Sequence, residues 1–150
     1  MISRYFDGEL PAPQNMELTG VEAEVLAGPL EHLATSAREI MSRCQFSEYL
    51  DAVLAVCTAT NRYIDMTEPF KLAKDGSQRE RLGTILYACA EMVRVVLSYL
   101  QPFMPEKAAA GLAMLGCEQD AAPLSERATF GRLKPGAAVN KGQPLFPRKQ

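Results

Sequence analysis

A chain of 150 residues, 47% hydrophobic and 23% charged, has the composition of one globular domain with a sizeable core. Its formal net charge of -2 excludes a generic basic nucleic-acid binder, whose affinity comes mainly from phosphate neutralisation, but leaves room for a local basic patch. No apolar run approaches the roughly 20 residues that span a bilayer, and the opening MISRYFDGEL lacks a signal-peptide core, so the chain reads as cytoplasmic with no membrane partner.

Residues 1–20 read as an irregular N-terminal arm, because DGELPAPQN holds two prolines and a glycine. A helical pattern follows from about Val21 to Cys44, with Leu26, Leu30, Leu33, Ala37, Ile40, Met41 and Cys44 spaced three and four apart. Gly28-Pro29 should kink or delay its start. FSEY opens the next helix, with Ser47 placed to cap it and Phe46 as a staple residue. Its apolar stripe runs Phe46, Tyr49, Leu50, Val53, Leu54, Cys57, Asn61, Ile64, with Asn61 as a polar member of the core face. This helix must end by Glu68, the residue before Pro69.

A third helix is expected from about Gln78 to Gln101, on the stripe Leu82, Ile85, Leu86, Cys89, Met92, Val93, Val96, Leu100. Pro105 then starts a short fourth helix, with Gly116 suited to its C-terminal cap. From Cys117 the periodicity fails. The stretch TFGRLKPGAAVNKGQPLFPRKQ, with three prolines and three glycines, reads as an extended tail. The expected fold is therefore all-α: a bundle of four main helices over residues 21–117, with an irregular C-terminal tail over 118–150.

The motifs of self-contained enzymes do not occur. There is no Gly-rich phosphate loop, no nucleophile elbow and no paired histidine, so no catalytic residue is assigned. Cys44, Cys57, Cys89 and Cys117 form no C-x-x-C pair and there is one histidine, so no metal site is expected. The first three cysteines fall on apolar stripes and read as small core residues in a reducing compartment. His32 lies off the stripe of its helix and reads as a solvated side chain. DGSQRER reads as a charged turn between helices.

Two stretches carry more information. NRYIDMTEPFKLAK, residues 61–74, and the later YLQPFMPEKAAAGLAMLG, residues 99–116, resemble the C-terminal anticodon-binding domain of methionyl-tRNA synthetases, which are class I enzymes. The family pattern there is an Asn, a Tyr two residues later, Pro-Trp with a short basic stretch, a long helix and a Pro-x-x-Pro step. RYFDGELP resembles the arm that enters that domain, and GRLKPGAAVNKGQPLFPR resembles its closing segment, so the likeness runs in order from Tyr5 to Arg148.

The resemblance implies an all-α bundle that binds the anticodon loop of tRNA(Met) and positions the tRNA for aminoacylation by a catalytic domain. That domain, with its signature motifs and zinc-binding insertion, is missing from this chain. ATP, magnesium and zinc would belong to it, and no cofactor is implied here. The chain is expected to begin after the family's first bundle helix and to be inactive alone, with an uncovered apolar surface where that helix would lie.

The resemblance also implies site residues. From the residues alone, Phe70 reads first as a plug of the bundle's end. The resemblance implies instead that it stacks on an unstacked anticodon base, at a position where the family usually has Trp; aromatic stacking suits splayed loop bases. Pro69 would fix the backbone so that the ring projects outward, and Lys71 and Lys74 would neutralise phosphates. Arg62 reads equally as a solvated charge or a phosphate contact. Asn61 and Tyr63 are expected to support the site structurally, Asn61 by satisfying backbone groups of the bend at 68–70. A competing reading of the same corner is a helical protein-interaction module with no RNA role. The equivalent domain of a related class I synthetase is a further alternative.

Overall fold

The computed structural model describes residues 1–117 and 122–147; the first residues of the expected tail, 118–121, and its last, 148–150, lie outside the described residues. A short helix, α1 (Ile2–Tyr5), opens the chain. After an irregular arm come α2 (Gly20–Glu22), a π-helical turn (Ala23–Ala27) and α3 (Gly28–Ser42). Then follow α4 (Phe46–Thr67), the one-turn α5 (Pro69–Leu72), a 3-10 turn (Gly76–Gln78) and α6 (Arg79–Leu100). The last helices are α7 (Pro105–Met114) and α8 (Leu124–Arg127). The architecture is the expected bundle: α4 packs between α3 and α6, and α7 packs on the far side of α6.

The π-helical turn sits where Gly28-Pro29 was expected to disturb the helix. Pro29 has no N–H to give to the carbonyl one turn back, and its ring crowds that carbonyl. Widening the preceding turn relieves the crowding without ending the helix.

α6 is the centre of the fold. Ile85, Ala88, Met92, Val95 and Tyr99 enter the main core with α3 and α4. Tyr87, Ala90 and Leu97 enter a second cluster with Leu10, Leu112, Leu115 and Leu133. Burial on both sides goes with an apolar sequence: among the described residues it is the one helix long and apolar enough to cross a membrane, and 89% of its apolar window is packed inside the bundle.

Three sequence expectations need correction. The buried face of α4 is Tyr49, Ala52, Val53, Val56, Ala59, Thr60 and Tyr63, one residue out of phase with the expected stripe. Phe46 and Leu54 are 50% and 57% exposed, and Asn61 is exposed rather than on the core face. The buried line holds alanines between its larger members, and of the adjacent line Phe46 and Leu54 face outward while Leu50 is only partly buried. Ser47 does not cap α4, whose N-cap is Gln45 with no side-chain bond. Cys44 is exposed, not core, because it lies past the end of α3 at a φ of 56°.

The segment after α8 is irregular, yet it is fastened to the core by two buried charges on α6. Glu91 and Arg94 are 0% and 2% exposed and paired at 2.8 Å. The Arg94 guanidinium donates to the carbonyls of Arg127 and Thr129 at 2.7 and 2.8 Å. The Glu91 carboxylate accepts from the backbone N–H of Gly131 at 3.2 Å and from that of Leu133. The Tyr87 hydroxyl donates to the Leu133 carbonyl at 2.7 Å, and Leu133 is buried.

Beyond Leu133 the chain pairs with the N-terminal arm. Leu10 donates to the Ala137 carbonyl, Gly136 to that of Leu10 and Val139 to that of Gly8, around an antiparallel bridge between Glu9 and Ala138. Gly116, at a φ of 66°, ends α7 beneath this ribbon; a Cβ there would meet the Ala138 carbonyl oxygen at 2.6 Å.

Candidate nucleic-acid interface

The corner between α4 and α5 is built by the end of one helix and the immediate start of another. The last turn of α4 closes with the Glu68 N–H on the Ile64 carbonyl at 2.9 Å and the Thr67 hydroxyl on the Tyr63 carbonyl at 2.7 Å. Glu68 then adopts a left-handed conformation, φ 43° and ψ 55°, which reverses the path of the chain. Pro69 takes the first position of α5, where its missing N–H costs nothing.

Geometry then decides where Phe70 points. Successive residues of a helix turn through about 100°, so Pro69 and Leu72 share one side and residues 70 and 71 face away from it. Pro69 is buried and Leu72 is half-buried against the main core. Phe70 is therefore left 51% exposed. The side chain is not a plug of the bundle's end; the plug is Pro69.

The basic residues gather unevenly around this ring. Lys71 and Lys74 are exposed on the same short element and the turn after it. Lys71 forms an ion pair with Glu68 at 2.6 Å, with both side chains solvent-accessible. Arg62 is exposed about two turns earlier along α4. The Asp75 carboxylate accepts from the Ser77 hydroxyl at 2.7 Å and the Ser77 N–H at 3.0 Å, which lowers its pKa from the usual carboxylate value.

Support comes from Tyr63 rather than Asn61. The exposed Asn61 cannot serve the backbone groups of the bend from inside. Tyr63 is fully buried, and its hydroxyl donates to the carboxylate of Glu22, which also accepts from Arg81 at 2.7 Å. Burial first, then this bond to an anion, raise the Tyr63 pKa far above its ordinary value, so the group stays a donor. The network ties α2, α4 and α6 directly behind the last turn of α4. Tyr63→Phe should cost about 1–3 kcal/mol, the penalty for stripping a buried acceptor of a partner. A urea midpoint unchanged by this substitution would show that Arg81 alone satisfies Glu22.

Among the concavities elsewhere, two are mainly apolar. One of about 580 Å³ opens between α3, α6 and α8, lined by Ala37, Met41, Tyr99, Pro102 and Leu124 among others. A second, about 320 Å³, is an apolar groove lined by Ile2, Ile64, Cys89, Val93 and Leu115 among others, with Val93 45% exposed. Of the corner residues, Ile64 and Pro69 border the second. Phe70 lines neither concavity; its exposed ring is followed in the chain by the exposed Lys71 and Lys74.

A sequence profile described as the anticodon binding domain of methionyl tRNA ligase matches residues 12–149. The chain belongs to this family. Its relatives among anticodon-binding-domain proteins include the methionine–tRNA ligase of Caldanaerobacter subterraneus subsp. tengcongensis, 40% identical over 148 residues, which are 99% of this chain and 23% of that protein. The methionine–tRNA ligase of Streptomyces coelicolor is 37% identical over 99% of this chain and 28% of its own length.

The fold agrees with the same family. The free-state crystal structure of Mycobacterium tuberculosis methionyl-tRNA synthetase superimposes with a TM-score of 0.87 at 28% identity, over 100% of this chain and 30% of that one. The anticodon-binding domain described here thus spans about a quarter of the length of the curated relatives it matches.

Glu68 and the Glu22–Arg81 pair went unnoticed in the sequence. A left-handed residue is signalled by Gly or Asn, and Glu carries no such mark. Glu22 and Arg81 are 59 positions apart and meet only through the fold.

Proposed function

We propose that this chain is the tRNA-reading module of a methionyl-tRNA synthetase. Its α4–α5 corner binds the anticodon loop of tRNA(Met) and holds the tRNA for aminoacylation by a catalytic domain. ATP, magnesium and zinc belong to that domain and not to these residues. One observation carries the reading: an aromatic ring 51% exposed at a helix-to-helix bend, followed by the exposed Lys71 and Lys74. Phe70 stacks on an unpaired base, Pro69 and the buried Tyr63 keep the bend from yielding, and Lys71, Lys74 and Arg62 meet phosphates. Stacking accepts the face of any base, and the lysines hold the backbone in register.

The test is a salt titration of binding to an anticodon stem-loop RNA. Three cations on single-stranded phosphates give a slope of about -2 in the logarithm of the binding constant against that of salt concentration. Lys74→Ala should flatten this slope by about 0.7. An affinity indifferent to salt, or a partner protein that binds the same corner while RNA does not, would replace the RNA reading with protein docking.

A further inference from the structure

Glu68 is out of place on every generic ground. It is one of three described non-glycine residues at positive φ, with Asp7 and Cys44. A residue with a Cβ is strained in this conformation, a strain that glycine avoids. Little is returned by its ion pair with Lys71, because both side chains are largely exposed, 43% and 63%. A carboxylate also opposes the approach of RNA phosphates to Lys71 and Lys74. Stability and bulk electrostatics therefore both argue against an acidic residue at this position.

What Glu68 does supply is an acceptor carried on a bonded stretch of backbone beside Phe70. Its backbone is pinned by the Glu68 N–H on the Ile64 carbonyl, and its own carbonyl accepts from the Lys71 N–H at 2.8 Å. Pro69 fixes the next φ, and Phe70 projects immediately beyond it. Stacking on Phe70 alone cannot tell one base from another, since every base has a π face. Of the other charged groups around the corner, Lys71, Lys74 and Arg62 are donors, Asp75 is engaged by Ser77, and Asp65 lies a turn earlier on α4.

We propose that Glu68 is a specificity-determining residue of the corner: its carboxylate accepts a hydrogen bond from the exocyclic amino group of the base stacked on Phe70, and selects an amino-bearing base over uracil. This rests on the RNA-binding reading given above. An ionised carboxylate only accepts. Cytosine presents an amino donor where uracil presents a carbonyl oxygen, and uracil's one N–H lies between two carbonyls that a carboxylate repels. Engaging the base loosens Glu68 from Lys71, which frees the ammonium for a phosphate. The same residue thus weakens contact with RNA that offers no suitable base.

The test uses hairpins with seven-base loops in which each anticodon position in turn is cytosine or uracil, a swap that keeps the stacking surface and exchanges amine for carbonyl. Binding is measured for the wild-type chain, Glu68→Gln, Lys71→Ala and Phe70→Ala. At one position the wild type should prefer cytosine by about tenfold, the order expected of one hydrogen bond to a charged group. Glu68→Gln should reduce this ratio towards one, because an amide accepts from the amine and donates to the carbonyl alike, while affinity for the uracil hairpin rises. Lys71→Ala should weaken both hairpins and keep the ratio.

Three results overturn the proposal, and they are distinguishable. A ratio unchanged in Glu68→Gln, with stronger binding to all hairpins, makes Glu68 a mere repeller of phosphate. A ratio lost equally in Lys71→Ala makes the ion pair, not the acceptor, the discriminating element. Hairpins that fail to bind, or bind Phe70→Ala as well as the wild type, remove the corner from the interface, and the RNA-binding reading falls together with this one.

Discussion

Arg94→Met should destabilise the domain by about 3–5 kcal/mol, the cost of leaving a buried carboxylate without its partner. Glu91 is fully buried and Arg94 nearly so, and water cannot take the place of either. The substitution also strips the carbonyls of Arg127 and Thr129 of their donor. A domain of this size has about 5–15 kcal/mol in total, so the loss is a large part of the whole.

The effect should be visible in two ways: a lowered urea midpoint, and faster amide exchange at Gly131 and Leu133, whose N–H groups bind Glu91. The double replacement Glu91→Met with Arg94→Met should cost less than the sum of the single ones, since no lone charge remains. It should not be neutral, because four backbone groups of the closing segment still lose partners. A loss under about 1 kcal/mol in Arg94→Met would mean that the segment from Arg127 to Leu133 is held by its apolar contacts alone.

Phe70→Ala should act in the opposite way, on binding and hardly on folding. With half its surface already in solvent, the ring contributes about 1 kcal/mol or less to stability. Stacking one base on an aromatic ring is worth roughly 1–3 kcal/mol, so affinity for an anticodon stem-loop should fall about five- to 150-fold. Phe70→Trp should preserve or strengthen binding, since the indole offers more surface at a side chain already half in solvent. Thermal melts and RNA titrations of both variants separate the two roles. A stability loss of about 3–5 kcal/mol in Phe70→Ala, with unchanged affinity of the folded fraction, would place the ring in the core.

The helices were legible because their apolar residues recur with the helical period and because Pro69 and Pro105 punctuate them. The site was legible where proline chemistry fixes direction, as at Pro69 and Phe70. Asn61 was misread for a definite reason. On α4 the inward line is made of Ala52, Ala59 and Thr60 between its larger members, while Leu50, Leu54 and Ile64 mark the adjacent line. Hydrophobicity alone points to the heavier line, and close helix packing selects the lighter one.

The fastening of the closing segment was illegible for another reason. Glu91 and Arg94 read as an ordinary pair three residues apart on a helix, and their decisive partners lie 33 to 42 positions away in a stretch with no periodicity. Glu68 was hidden because its conformation is imposed by the meeting of two helices and not by its residue type.

RNA is expected to meet this domain at the α4–α5 corner. Nuclear magnetic resonance titration of the labelled chain with an anticodon stem-loop tests it most directly. The ring protons of Phe70 should move upfield as a base stacks on them, and the amides of Glu68 to Lys74 should shift with the same affinity. Shifts confined to another surface, such as the apolar groove at Ile64 and Val93, with the Phe70 ring unmoved, would contradict the account.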